Sequence, residues 1–273
     1  MLLEPVSPRS PLPFRDRDAT PPDGLPRGDE MDEKLAKVTA KLGELQQVLY
    51  ADGRHSLLIV LQGRDASGKD GVVRTVFDAC NPQGVHVTSF KAPTAIELAH
   101  DYLWRVHNVV PENGIVGIFN RSHYEDVLVV RVHNLVPRRV WSRRYRQINE
   151  FERILSENGV VILKFFLHVS RDAQNERLIE RINDPTKNWK FKAGDLDERN
   201  LWDNYTEAYR DAVRKCSTKW APWYVVPADK NKARTYLIAK RIVATLEGLD
   251  LNYPTPKTDL KQYLVSLEGP SAK

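Results

Sequence analysis

The 273-residue chain is predicted to be an α/β protein built on a central parallel sheet covered by helices on both faces. Three observations carry that expectation. From Ser56 onward short apolar runs alternate with amphipathic helical stretches, the pattern of successive strand–helix–strand units. The first apolar run, Leu57 to Leu61, leads into Gly63-Arg-Asp-Ala-Ser-Gly-Lys-Asp70 and then into a helix-compatible run, Gly71 to Cys80. Upstream, Leu35, Val38, Leu42, Leu45 and Leu49 alternate spacings of three and four, which puts one apolar stripe on a long helix that can lie against the sheet.

At the start of the chain, residues 1–30 set Pro5, Pro8, Pro11, Pro13, Pro21, Pro22 and Pro26 among charges with few apolar groups. Such a segment buries too little surface to offset its ordering entropy, so it is expected to be a mobile arm or to pack on a neighbouring subunit. Strands are expected at Ser56–Leu61, Val85–Phe90, Ile115–Phe119, Val160–His168 and Tyr224–Val226. Thr94–Val109 reads as one helix, opened by a capping box of Thr94 and Glu97 and packing through Ala95, Ala99, Tyr102, Leu103 and Val106. Trp141–Asn158 is a second amphipathic helix, stopped by Gly159, and Ser170 is placed to cap the helix through Leu178 and Ile182. Pro185 and Gly194 interrupt helical continuation beyond it, so residues 177–199 read as a mobile lid. A last helix carries Ile238, Ile242 and Leu246 and ends at Gly248. These elements delimit one domain, 31–253, with a polar tail at 254–273.

Composition narrows the function classes. A formal net charge of +5 favours anionic partners. Two cysteines, Cys80 and Cys216, make no disulfide framework. The first residues lack the pattern of a secretory signal and no apolar run reaches bilayer length, so a cytoplasmic protein without a membrane partner is expected. Aromatics among the lysines of the lid suit single-stranded nucleic acid, but no nucleic-acid module accompanies them.

The segment Gly63–Asp70 is nearly a phosphate-binding loop. Small residues at Gly63, Ala66, Ser67 and Gly68 let the backbone curl so that several N–H groups point at one anion, in front of a helix N-terminus. Lys69 can reach the outer phosphate oxygens. The hydroxyl residue that ordinarily follows the lysine is replaced by Asp70, and a second carboxylate, Asp65, sits inside the loop. An acid facing phosphates is repulsive unless a divalent metal lies between, so Asp65 reads as a metal or catalytic carboxylate. The third strand ends in Asn120-Arg-Ser-His-Tyr-Glu-Asp126, where a parallel sheet opens its ligand crevice. Arg121 can clamp phosphate oxygens. Glu125 and Asp126 can hold metal, orient a nucleotide or merely cap the next helix; His123 fits packing or ligand contact. Arg177, Arg181, Lys187 and Lys190 supply the cations of a lid that closes over phosphates.

Three stretches together, Gly63-x-Asp-x-x-Gly-Lys-Asp-Gly71, Phe119-Asn-Arg-Ser-His-Tyr-Glu-Asp126 and Asp184-Pro-x-Lys-x-Trp-Lys-Phe191, resemble the signatures of the polyphosphate kinase 2 family. Asp101-Tyr-Leu-Trp-Arg105 and Ala221-Pro-Trp-Tyr224 extend the likeness from about Leu35 to Tyr253, and the Asn-Arg-Ser-His-Tyr-Glu-Asp form looks like its class III branch. The resemblance implies a thymidylate-kinase-like P-loop fold, a three-layer sandwich with a helical lid. It implies phosphoryl transfer from inorganic polyphosphate to AMP and ADP with Mg²⁺, Mn²⁺ being a possible substitute; guanine nucleotides are possible acceptors too, the base preference being left open. It also implies a homodimer or homotetramer. Mapped onto this chain, Asp65, Lys69 and Arg121 would be catalytic, with Asp65 on the metal. Gly63, Ala66, Ser67, Gly68, Arg177, Arg181, Lys187 and Lys190 would hold phosphate, and Asn120, His123, Tyr124, Glu125 and Asp126 the nucleotide. The rival expectations are an ATP-dependent nucleoside monophosphate kinase and a polyphosphate- or nucleic-acid-binding protein without turnover.

Overall fold

A computed structural model describes residues 1–7, 11–261, 263 and 267. Five parallel strands form one sheet in the order β2-β3-β1-β4-β5. They span β1 Ser56–Gln62, β2 Val85–Ser89, β3 Val116–Asn120, β4 Val160–His168 and β5 Trp223–Pro227, within two residues of each expected run. The helices are α1 Gly28–Asp52, α2 Lys69–Val76, α3 Ala95–Leu98, α4 Trp104–His107, α5 Val129–Val132, α6 Arg138–Glu157, α7 Arg171–Asn183, α8 Gly194–Asn200, α9 Trp202–Cys216 and α10 Asn231–Glu247.

β1 lies at the centre, and its side chains Leu57 to Leu61 are fully buried. They alternate between two cores, as a strand covered on both faces requires. Leu57, Ile59 and Leu61 pack with Leu42 and Leu49 of α1, Val72 of α2 and Ile238 of α10. Leu58 and Val60 face Ile148 and Phe151 of α6 and Val213 of α9. The result is the expected three-layer α/β arrangement. Ser170 caps α7 by accepting from Ala173 N at 3.2 Å.

Two expectations are corrected. The stretch 94–109 is two short helices rather than one. The capping box exists, with Glu97 Oε2 accepting from Thr94 N at 2.6 Å. However, Asp101 Oδ1 accepts from Leu103 N at 2.9 Å, a local bond that competes with helical continuation. Of the expected apolar face only Val106 is buried, while Ile96 and Leu98 are exposed.

The proline-rich arm, expected to be mobile or on a neighbour, packs along its own chain. Leu3, Phe14 and Ala19 are buried, and Phe14 stacks on Phe166 with centroids 5.0 Å apart. Val6 N donates to Trp223 O at 2.8 Å, and Asp229 N donates to Ala19 O at 3.1 Å. The few apolar residues are the anchors, and the prolines between them restrict the backbone in advance, which lowers the entropy lost on docking. At the other end, residues 254–261 are exposed; the rest of the expected tail, apart from 263 and 267, lies outside the described residues. No helix among the described residues is long and apolar enough to cross a membrane.

Candidate active site

β1 delivers the chain to Gly63, and the loop turns on two left-handed residues, Ala66 (φ 59°) and Gly68 (φ 93°), before α2 starts at Lys69. Lys69 is buried and folds back over the loop, donating to Gly63 O at 2.7 Å and Arg64 O at 3.2 Å. Burial, with the charge of Arg121 adding to it, pushes its ammonium down to about 8.

The end of β3 meets this loop. Arg121 N donates to Leu61 O at 3.0 Å, locking the two strand ends together. Arg121 Nη2 then donates to Asp65 Oδ1 at 2.7 Å, and Nη1 reaches Glu125 Oε2 at 3.5 Å. Beside them Asn120 Nδ2 donates to Asp70 Oδ1 at 2.7 Å. A cleft of about 760 Å³ opens above this cluster. Gly63, Asp65, Arg121, Glu125 and Asp126 line it, and so do Lys192, Asp195 and Arg199 from the expected lid.

Several of the expected site residues have other partners in this structure. His123 and Tyr124 are fully buried and face away from the cleft. Tyr124 Oη donates to Glu152 Oε1 at 2.9 Å and accepts from Lys164 Nζ at 2.7 Å. His123 Nε2 lies 3.1 Å from the same Glu152 oxygen. Lys164 Nζ completes the network with Glu152 Oε2 at 2.5 Å and Cys216 O at 2.7 Å. A charged pair this deep persists only when its remaining bonds are satisfied, and these two aromatic rings satisfy them. They brace the turn that carries Arg121 and Glu125.

Asp126 lines the cleft but is held by Arg144 at 2.8 Å. Burial, opposed by Arg144, raises its carboxyl to about 6. Arg177 donates to Ala66 O, Ala228 O and Asp229 O and so braces the Gly63–Asp70 loop. Arg181 pairs with Asp195 at 3.6 Å, and Lys187 with Glu180 and Asp184 at 2.6 and 2.9 Å. Lys190 lies over the exposed Trp189 ring. Neither Lys187 nor Lys190 lines the cleft.

Sequence reasoning assigned no role to Arg64, which is buried with its guanidinium 3.9 Å from the Trp202 ring centroid. It donates to Trp202 O and Thr206 Oγ1, tying the Gly63–Asp70 loop to the start of α9. Its place inside the loop motif was the available signal.

The depressed Lys69 sets a pH dependence. Between about 8 and its ordinary 10.5 the unfolded chain holds the extra proton, so stability rises with pH across that window. A phosphate near Nζ favours the charged form instead. Binding of tripolyphosphate at about pH 9 is therefore expected to take up close to one proton per site. Calorimetry in two buffers of different ionisation enthalpy measures this, and binding without uptake rejects it.

Comparison with known proteins supplies a second line of argument. A family model described as polyphosphate kinase 2 matches residues 27–253. An AMP/ADP-polyphosphate phosphotransferase of Meiothermus ruber is 57% identical over 233 residues, covering 85% of this chain and 87% of that protein. An ADP-polyphosphate phosphotransferase of Rhodopseudomonas palustris is 46% identical over 234 residues, 81% of each chain. Among solved structures, polyphosphate kinase 2 from Arthrobacter aurescens TC1 superposes with a TM-score of 0.88 at 41% identity, covering 97% of this chain and 92% of that one.

Proposed function

The chain belongs to the polyphosphate kinase 2 family, and on that premise we propose that it moves phosphoryl groups reversibly from inorganic polyphosphate to AMP and ADP. The observation that carries the reading is the meeting of Asp65 and Arg121 at the mouth of the cleft, 2.7 Å apart, where the phosphate loop joins the end of β3. The names of the relatives at 57% and 46% identity support the choice of acceptors.

The mechanism follows from charge. Donor and acceptor are both phosphates, and the acceptor oxygens are largely ionised near neutrality, with a second pKa of about 6. Proton abstraction is therefore a small part of the barrier, and mutual repulsion of the anions is the large one. Lys69 and Arg121 neutralise that charge and align the reacting oxygens. Lys69 is now bonded to two backbone carbonyls, which a phosphate oxygen can replace.

Asp65 suits Mg²⁺, or Mn²⁺ in its place. Its Oδ1 is on Arg121, and no cluster of three or more His, Cys, Asp or Glu able to cage a metal occurs among the described residues. A small hard cation that keeps its waters and takes substrate phosphate oxygens needs only such a carboxylate. Bound there, the metal would supply charge neutralisation on the phosphates.

Incubating the purified protein with polyphosphate, Mg²⁺ and AMP, ADP, GMP or GDP, and following the products, tests the reading. ADP and ATP should form without added ATP; phosphorylation of AMP only when ATP is supplied would make it an ATP-dependent kinase. Guanine acceptors, a homodimer or homotetramer and a cytoplasmic location belong to the same proposal, with sedimentation and cell fractionation as their checks. In the lid, Arg181, Lys187 and Lys190 are proposed to turn toward the polyphosphate chain when it binds. Lys187→Ala with Lys190→Ala should raise KM for polyphosphate several-fold and leave KM for AMP unchanged; equal effects on both substrates would remove the lid from donor binding.

A further inference from the structure

A loop that points its N–H groups forward at an anion must point carbonyl oxygens backward, into the protein. Those rear carbonyls need donors, because an unpaired buried backbone oxygen is costly. Here Ser67 O accepts from Arg234 Nη1 at 3.1 Å, from the first turn of α10. Arg234 is only 2% exposed. Its other bond from Nη1 goes to the neutral Asn231 Oδ1 at 2.8 Å. Among the described residues it forms no salt bridge, and burial, with the charge of Arg177 adding to it, pushes its guanidinium down to about 10. The guanidinium lies against the loop glycine: a Cβ added to Gly68 would fall 2.6 Å from Cζ. A buried cation without a carboxylate partner is expensive to keep, and a neutral donor would satisfy Ser67 O equally well.

We propose that Arg234 is a positioning residue of the phosphate site, pinning the Ser67–Gly68 turn and projecting an uncompensated positive charge through the loop onto the bound phosphate chain. This rests on the phosphotransfer reading of the cleft. The close approach adds to the left-handed backbone (φ 93°) in leaving no room for a side chain at 68. Arg177, bonded to Ala66 O, does the same for the preceding carbonyl, but its second amino group is committed to Ala228 and Asp229.

The test compares Arg234→Lys, which keeps the charge, with Arg234→Met and Arg234→Gln, which remove it; Gln retains a donor for Ser67 O. Tripolyphosphate binding is measured by calorimetry, alongside KM and kcat for polyphosphate with ADP and the melting temperature of each protein. Arg234→Met and Arg234→Gln should weaken tripolyphosphate binding and raise KM for polyphosphate on the order of tenfold, the scale for unit charges a short way apart in a partly desolvated site. KM for ADP should move less, and Arg234→Lys should stay within about threefold of the parent. Binding that is unchanged in Arg234→Gln overturns the proposal. So does an equal loss in the Lys and Gln variants, which would make the residue a packing element only. Because binding is read separately from turnover, a parent protein that binds tripolyphosphate but forms no ATP would overturn the enzymatic reading while leaving this one to be decided by the variants.

Discussion

Lys69→Met, which keeps the length of the side chain and removes its charge, should lower turnover by about 10²–10³, the usual loss for one electrostatic contact to the transferring group. Lys69 is already positioned at the loop, buried and bonded to Gly63 O and Arg64 O. Methionine occupies the same volume, so the variant should fold normally. Asp65→Asn should produce a loss of similar size by a different route. It removes the anion that holds Arg121 at 2.7 Å and the carboxylate suited to the metal, while the amide preserves the shape. Initial rates of ATP formation from ADP and polyphosphate, with circular dichroism to confirm folding, measure both. Near-normal turnover in either variant would reject the role given to that residue.

The largest expected change in stability comes from Lys164→Met. Lys164 and Glu152 have no exposed surface and lie 2.5 Å apart. Removing the lysine leaves a buried carboxylate without its counter-charge, at a cost of roughly 3–5 kcal/mol. For a chain of this size that is roughly a 6–20 °C fall in melting temperature. Glu152→Gln added to Lys164→Met removes the stranded charge, and Tyr124 can still donate to the amide oxygen, so the double variant should recover most of the loss. Thermal melts of the two proteins decide it. A single variant that melts within about 2 °C of the parent, or a double variant no better than the single, would show that the pair is not a coupled unit.

The buried network also marks the limit of what the sequence discloses. Strands β1, β3 and β4 were legible because a strand covered on both faces reads as a near-continuous apolar run, interrupted inside β4 by Lys164. The turn between β1 and α2 was legible because its parts are contiguous: glycines, lysine and carboxylate lie within eight residues. His123 and Tyr124 sit in an equally recognisable string, yet their partners Glu152 and Lys164 are 28 to 40 residues further along. Nothing in the string itself tells a residue that touches a ligand from one that holds the turn in place. Arg234, 167 residues from the carbonyl it serves, is invisible for the same reason. The helix expected at 94–109 failed on a local competitor: periodicity cannot weigh the Asp101 side chain, which bonds Leu103 N instead of leaving it to the helix. The arm failed on thresholds, since three apolar anchors were enough where composition suggested too few.

The arm's path bears on how the molecule meets copies of itself. β5 is the last strand on its side of the sheet, and an uncovered border strand is a template onto which another chain can add. Val6 takes one of that strand's outward carbonyls, at Trp223, and Ser217 Oγ in turn secures Val6 O. Pro5, Pro11 and Pro13 near it have no N–H to offer to a further strand. The opposite border, β2, keeps His86 and Val87 exposed. The sheet thus has one border covered by the arm at Trp223 and one that keeps side chains exposed, and the covering segment lies apart from the residues that line the cleft.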